Sequence, residues 1–117
     1  MTVPQWSPPL ECLFYRAASG AEPVRSWLKK QEKAVRLEIG ADIQKVQWRW
    51  PVSRPLVGSM GAGLYEVRTA YEGNQYRVFF CVEDGAMVLL HGFQKKSQKT
   101  PERELRLARD RHKEVTG

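Results

Sequence analysis

The sequence predicts an α+β fold in which an N-terminal strand, a helical hairpin and a C-terminal helix pack on a small antiparallel sheet. Three observations predict it. The runs Leu64–Ala70, Gln75–Val82 and Ala86–Phe93 are rich in β-branched and aromatic residues and are separated by Glu72-Gly73-Asn74 and Glu83-Asp84-Gly85, the pattern of a three-stranded meander. Upstream, Val35, Ile39, Ile43, Val46 and Trp50 recur at spacings of 4, 4, 3 and 4, which is one face of an α-helix. Downstream, Thr100 and Pro101 precede the acidic residues Glu102 and Glu104, so that a helix starts there with Thr100 as N-cap and Pro101 as its first residue.

Taken in order, residues 1–9 carry three prolines and read as an irregular arm, with Trp6 against the body. Leu10–Arg16 reads as a strand that joins the meander at an edge or in a parallel pairing. Pro23 suits the first position of a short helix over Pro23–Lys30, whose stripe is Val24, Trp27 and Leu28, and Lys29, Lys30 and Lys33 lie near its C-terminal end. The second helix spans Lys33–Trp48 with Arg36, Lys45 and Arg49 facing away, and Gly40 within it marks close packing. The tryptophans read as core or rim packing rather than as a platform for nucleobases. Pro51–Gly63 has no periodicity and reads as a surface loop carrying Arg54. In the C-terminal helix Leu105, Ala108, His112 and Val115 form the apolar face, while Arg103, Arg106, Arg109, Arg111 and Lys113 point outward.

A length of 117 residues fits one domain over 1–117, and 19 Lys+Arg against 13 Asp+Glu leave a net charge of +6, which favours an anionic partner such as nucleic acid or an acidic protein. Cys12 and Cys81 lack metal-ligand spacing, and Cys81, mid-strand, reads as a small buried thiol. The N-terminus has neither a basic n-region nor an apolar h-region, and no run approaches the roughly 18 apolar residues of a membrane span. A soluble, cytoplasmic protein without membrane contacts is the expectation.

Paired carboxylates, zinc spacings, a nucleotide-binding glycine loop and a Ser/His/Asp arrangement are missing, so neither a metal nor a cofactor is expected. Gly58, Gly61 and Gly63 precede a strand, whereas a phosphate-cradling loop follows one and opens a helix. What remains is cationic. Arg68 shares a strand face with Glu66, and a two-residue turn at Gly73-Asn74 puts Arg77 on that face as its diagonal neighbour. Two guanidinium groups there suit phosphate, whose oxygens match the planar fork of donors. A purely structural pairing of Arg68 with Glu66 stands beside that reading. Lys95, Lys96 and Lys99 follow in the exit loop, and His91 is the residue whose ordinary pKa, about 6.5, lies nearest neutrality. With a two-residue turn at Asp84-Gly85, His91 lies opposite Val78 and away from Arg77; a three-residue loop with a bulge reverses this. Such a set binds a phosphodiester and stabilises its transition state, and in RNA the 2′-hydroxyl supplies the nucleophile.

GLYEVR, YRVFF and LLHGFQKKSQKTP, followed by a helix beginning ERELRLA, closely resemble the HigB-like branch of the RelE/ParE toxins of bacterial and phage toxin–antitoxin systems. The match covers about Pro23 to Val115. The resemblance implies a RelE-like fold and a metal-independent, ribosome-dependent endoribonuclease, an mRNA interferase that cuts mRNA in the ribosomal A site. It also implies contacts with ribosomal RNA and a cognate helix-turn-helix antitoxin through which operator DNA is bound. Arg68 and Arg77 match basic active-site positions, Lys95 and Lys96 match a C-terminal basic pair, and His91 matches the HGF histidine. Arg68, Arg77 and His91 are therefore the expected catalytic residues, and Lys95, Lys96, Lys99 and Arg54 the expected RNA-binding ones. Two other readings share the fold: a ParE-like inhibitor of DNA gyrase, and a non-catalytic member that only binds antitoxin.

Overall fold

The computed structural model describes residues 8–117; most of the expected N-terminal arm, including Trp6, lies outside the described residues. The elements are β1 (Glu11–Phe14), α1 (Pro23–Lys29), α2 (Lys33–Arg49), β2 (Val57–Gly61), β3 (Leu64–Tyr71), β4 (Asn74–Glu83), β5 (Ala86–Lys95) and α3 (Glu102–Thr116). They form an α+β fold whose sheet has the order β1-β5-β4-β3-β2. The meander is its centre, but the sheet has five strands rather than three. β1 lies parallel to β5, and the other pairs are antiparallel.

The fifth strand, β2, falls in the segment expected to be a loop. Its sequence, VGSMG, has no apolar alternation to read, because two of its five residues are glycine. It joins β3 through Ala62-Gly63, and the two later hairpins turn on Glu72-Gly73 and Asp84-Gly85. All six of these residues have φ between 49° and 80°, which is what type I′ turns require at both central positions. The turn after β3 is therefore Glu72-Gly73, one residue before the expected Gly73-Asn74, because glycine is favoured at the second central position. At the start of α3, Pro101 rather than Thr100 occupies the N-cap, and no side chain caps the helix.

One sheet face buries Val67, Val78, Phe80, Met87 and Leu89 against Val24 of α1 and Val35, Ile39, Ile43 and Val46 of α2. Trp50, just past α2, packs edge-on against Tyr65 and Phe80 with ring centroids 5.1 and 5.7 Å away. Gly92 on β5 admits the Trp27 ring of α1: a Cβ there would lie 2.4 Å from Trp27 Cε3. Gly40 has no such neighbour, so its expected close packing is not found. The other face buries Leu64, Phe79, Cys81, Val88, Leu90 and Phe93 under Ala108, Leu105 and Val115 of α3.

Two of the arginines expected to point outward from α3 instead tie it down. Arg109 donates to the carbonyls of Met60 (2.6 Å) and Gly61 (3.3 Å). Arg111 donates to the Leu90 carbonyl at 2.8 Å and lies over the Tyr15 ring, whose hydroxyl donates to Glu114 at 2.6 Å. Cys12 and Cys81 are free thiols, and burial pushes each up to about 11. Among the described residues no helix is long and apolar enough to cross a membrane.

Candidate functional site

α3 packs on β4 and β5, and the end of that sheet face next to the Glu72-Gly73 turn carries Glu66, Arg68 and Arg77. With the turn at Glu72-Gly73, Arg68 stands directly opposite Arg77 rather than diagonal to it. Directly opposed Cβ atoms lie only about 4.5–5.5 Å apart, so the two arginine side chains leave the sheet from closer points than the sequence implied.

Glu66 makes this arrangement tolerable. It is 2% exposed, and its Oε1 accepts from Arg68 Nε at 2.9 Å while lying 3.9 Å from Arg77 Nε. One carboxylate thus serves both cations, and the cluster keeps a net positive charge. Glu66 Oε2 and Arg77 Nε are buried without hydrogen-bond partners among the described residues. Arg77, 8% exposed, is held through Nη1, which donates to the Tyr76 carbonyl (3.0 Å) and to Gln75 Oε1 (3.3 Å). Burial pushes the Arg77 guanidinium below its ordinary value, Glu66 opposes that shift and Arg68 adds to it. A guanidinium lowered from so high a starting point still carries its charge at neutral pH.

Arg68 has a third of its side chain exposed, and its guanidinium lies across β2 above Gly58. A Cβ at position 58 would come within 2.6 Å of Arg68 Nη2. Gly58, set aside in the sequence as not belonging to a phosphate loop, thus does a different job: its missing side chain gives Arg68 room. No motif signals this, since it depends on a pairing that brings Gly58 beside Glu66.

Two open depressions meet at Gln75 and Arg77. One, of about 580 Å³, is lined by Asn74, Gln75, Arg77, Gln94, Lys95 and Lys96 among others. The second, of about 380 Å³, is lined by Leu56, Arg68, Ala70, Gln75 and Arg77 among others. Arg77 forms part of both walls, and the lysines lie along one rim. The carboxamides Asn74, Gln75 and Gln94 are lining residues that sequence reasoning did not single out; their signal was only position beside the turn and opposite Lys95.

The remaining expected residues lie elsewhere. The Asp84-Gly85 turn has two residues, which by itself would set His91 opposite Val78, but a bulge between Phe79 and Phe80 shifts the register and pairs His91 with Phe79. Leu90 and His91 therefore both point to the α3 side. His91 Nε2 is 2.5 Å from Glu104 Oε2, and Nδ1 is 3.5 Å from Arg111 Nη1. Its ring stacks with Phe79 and Phe93, so an aromatic row stands between it and Arg77. Burial pushes His91 below its ordinary value, Glu104 pulls it back up, and Arg111 and Arg103 lower it further. His91 is not among the residues lining either depression. Nor is Lys99, exposed in the exit loop. Arg54 lines a separate hollow with Val52, Ser53, Val57, Ser59 and Tyr65.

Among the described residues, no group of three or more His, Cys, Asp or Glu side chains gathers to hold a metal ion. The groove instead gathers cations and amides, a donor set suited to an extended polyanion. The family model described as "Phage derived protein Gp49-like (DUF891)" matches residues 26–113. The chain belongs to this phage-derived family, a toxin-like family related to the RelE/HigB-type toxins. No curated protein matched the chain.

Proposed function

We propose that this protein is the toxin of a type II toxin–antitoxin system, of the HigB-like kind, and that it cleaves translated mRNA in the ribosomal A site. The observation that carries the reading is the opposed pair Arg68 and Arg77, held by one buried carboxylate at the meeting point of two open depressions. Arg77 and Arg68 bind the scissile phosphate. As the 2′-oxygen attacks phosphorus and the bond to the 5′-oxygen breaks, negative charge grows on the non-bridging oxygens, and guanidinium groups already in place stabilise it without reorganising. Lys95 and Lys96 bind flanking phosphates or ribosomal RNA. The products are a 2′,3′-cyclic phosphate and a 5′-hydroxyl, with protons exchanged through water. Glu104 and Arg111 engage His91, which on this reading braces α3 and takes no part in proton transfer. A helix-turn-helix antitoxin encoded nearby neutralises the protein in the cytoplasm.

Induction of the wild type and of Arg77→Ala in a host without antitoxin tests the reading. Growth arrest with new mRNA 5′ ends is expected for the wild type, and loss of both for Arg77→Ala. Because that variant leaves Glu66 short of a cation, Lys95→Ala/Lys96→Ala serves as a second variant away from the Glu66 cluster, at a half-buried and an exposed position, with weakened arrest expected. DNA breaks without mRNA cuts would replace the nuclease with a gyrase inhibitor, and normal growth with antitoxin binding would leave a non-catalytic member.

A further inference from the structure

Gln75 and Arg77 share a face of β4, and across the sheet Gln75 lies between Ala70 of β3 and Lys95 of β5. Gln75 lines both depressions, as Arg77 does, so it borders the nucleotides on either side of a phosphate held at the arginines. Its neighbour fixes which way its carboxamide faces. Arginine offers donors only, and Arg77 Nη1 donates to Gln75 Oε1 at 3.3 Å. The oxygen is thereby taken, and the amino group Nε2 is the part of this exposed side chain left to meet a ligand. Ala70, small and exposed, leaves space beside it in the second depression.

The charged side chains around Gln75 are donors as well: Arg77, Arg68 and Lys95 line the same two depressions, while Glu66 is buried and engaged by Arg68. Phosphate oxygens take the charged donors, which leaves the neutral amino group of Gln75 to the neutral part of a nucleotide, its base. Bases divide at one ring position. Where guanine and uracil carry a carbonyl oxygen, an acceptor, adenine and cytosine carry an amino group, a donor. Single-stranded RNA offers these edges to side chains. An amino base set against Gln75 Nε2 leaves two donors facing each other with no acceptor between them. The other two amides of the groove are engaged with one another: Gln94 Nε2 donates to Asn74 Oδ1 at 3.2 Å, and both alternate to the sheet face opposite Gln75.

We propose that Gln75 is a specificity-determining residue, which favours a keto base, guanine or uracil, over adenine or cytosine at a nucleotide adjoining the scissile phosphate. This rests on the nuclease reading above. Arg77 has a second role in it, holding the carboxamide oxygen so that only the amino group is presented to the base. In Gln75→Glu one carboxylate oxygen keeps the contact with Arg77 and the other faces the base as an acceptor, so the preference turns towards the amino bases.

The test maps mRNA 5′ ends after induction of the full chain in a host without antitoxin, and scores the bases flanking each cut against their frequency in the same transcripts. For the wild type, keto bases are expected to be enriched by roughly fivefold or more at one of the two flanking positions. Gln75→Ala is expected to flatten that enrichment and Gln75→Glu to reverse it. Each variant is scored by a ratio among its own cuts, so a slower variant still reports. If Gln75→Ala makes no cuts, its affinities for 2′-O-methyl RNAs that differ only in that base decide in the same way. Enrichment unchanged in Gln75→Ala, with all sites cut more slowly alike, would overturn the proposal and leave Gln75 as a brace for Arg77. So would wild-type cuts with no preference, or with amino bases preferred, at both positions. If the wild type makes no mRNA cuts at all, the nuclease reading fails, and this assignment with it.

Discussion

Two arginines directly opposite one another on a sheet face repel, and the carboxylate between them sets how strongly. In Glu66→Gln the shape of the side chain remains but its charge goes, leaving Arg68 and Arg77 uncompensated in a half-buried place. A stability loss of about 1–3 kcal/mol in urea unfolding is expected. In an Arg68→Ala background the same substitution should cost less, because one of the two repelling cations is already gone. Equal losses in both backgrounds would show that repulsion is not the cause. Gly58→Ala separates position from stability. The added Cβ meets the far end of a long side chain, which swings aside at a cost within about 1 kcal/mol, yet the guanidinium no longer sits where the phosphate needs it. The thermal midpoint should change little while RNA cleavage falls by about tenfold or more; unchanged cleavage would remove Arg68 from the reacting site.

At the scale of elements, the seam between α3 and the sheet turns on His91. Its imidazole is pushed below its ordinary value, chiefly by burial. Below about pH 6.5 the unfolded chain therefore takes up a proton before the folded chain does, so stability falls as the pH drops through that value. Above it the contribution is flat. Between about pH 7.5 and 5.5 the thermal midpoint of the wild type should fall more than that of His91→Gln, which lacks the titrating group; parallel curves would deny His91 this role. The strand pattern of β5 could be read from the sequence, and so could the apolar face of α3. The bulge between Phe79 and Phe80 could not, because it arises from how β5 pairs with β4, and it alone decides that His91 faces α3.

For the molecule as a whole, a net charge of +6 favours polyanions, and Lys95 and Lys96 line the larger depression beside Arg77. Binding of an uncleavable 2′-O-methyl RNA should weaken linearly with the logarithm of salt concentration. Removing both lysines should reduce the slope by about 0.7 for each phosphate that is no longer neutralised, or about 1.4 in total. An unchanged slope would place the RNA elsewhere on the surface.

The helices and the three central strands were determined by the sequence itself, since period 3.6, period 2 and the presence of a Gly-containing break between strands are local properties that need no partner to be legible. The pairing of two cations on one face was legible too, given alternation along the strands. Tertiary structure decided the rest. Glycine-rich β2 becomes a strand only because β3 offers it an edge, and Gly58 gains its purpose only from the guanidinium that lies over it. The distance between Arg68 and Arg77 depended on which two residues make the turn, and a shift of one converted diagonal neighbours into opposed ones. Glu66, which local sequence assigned to Arg68, serves both arginines for the same reason: only the folded sheet brings the second within its reach.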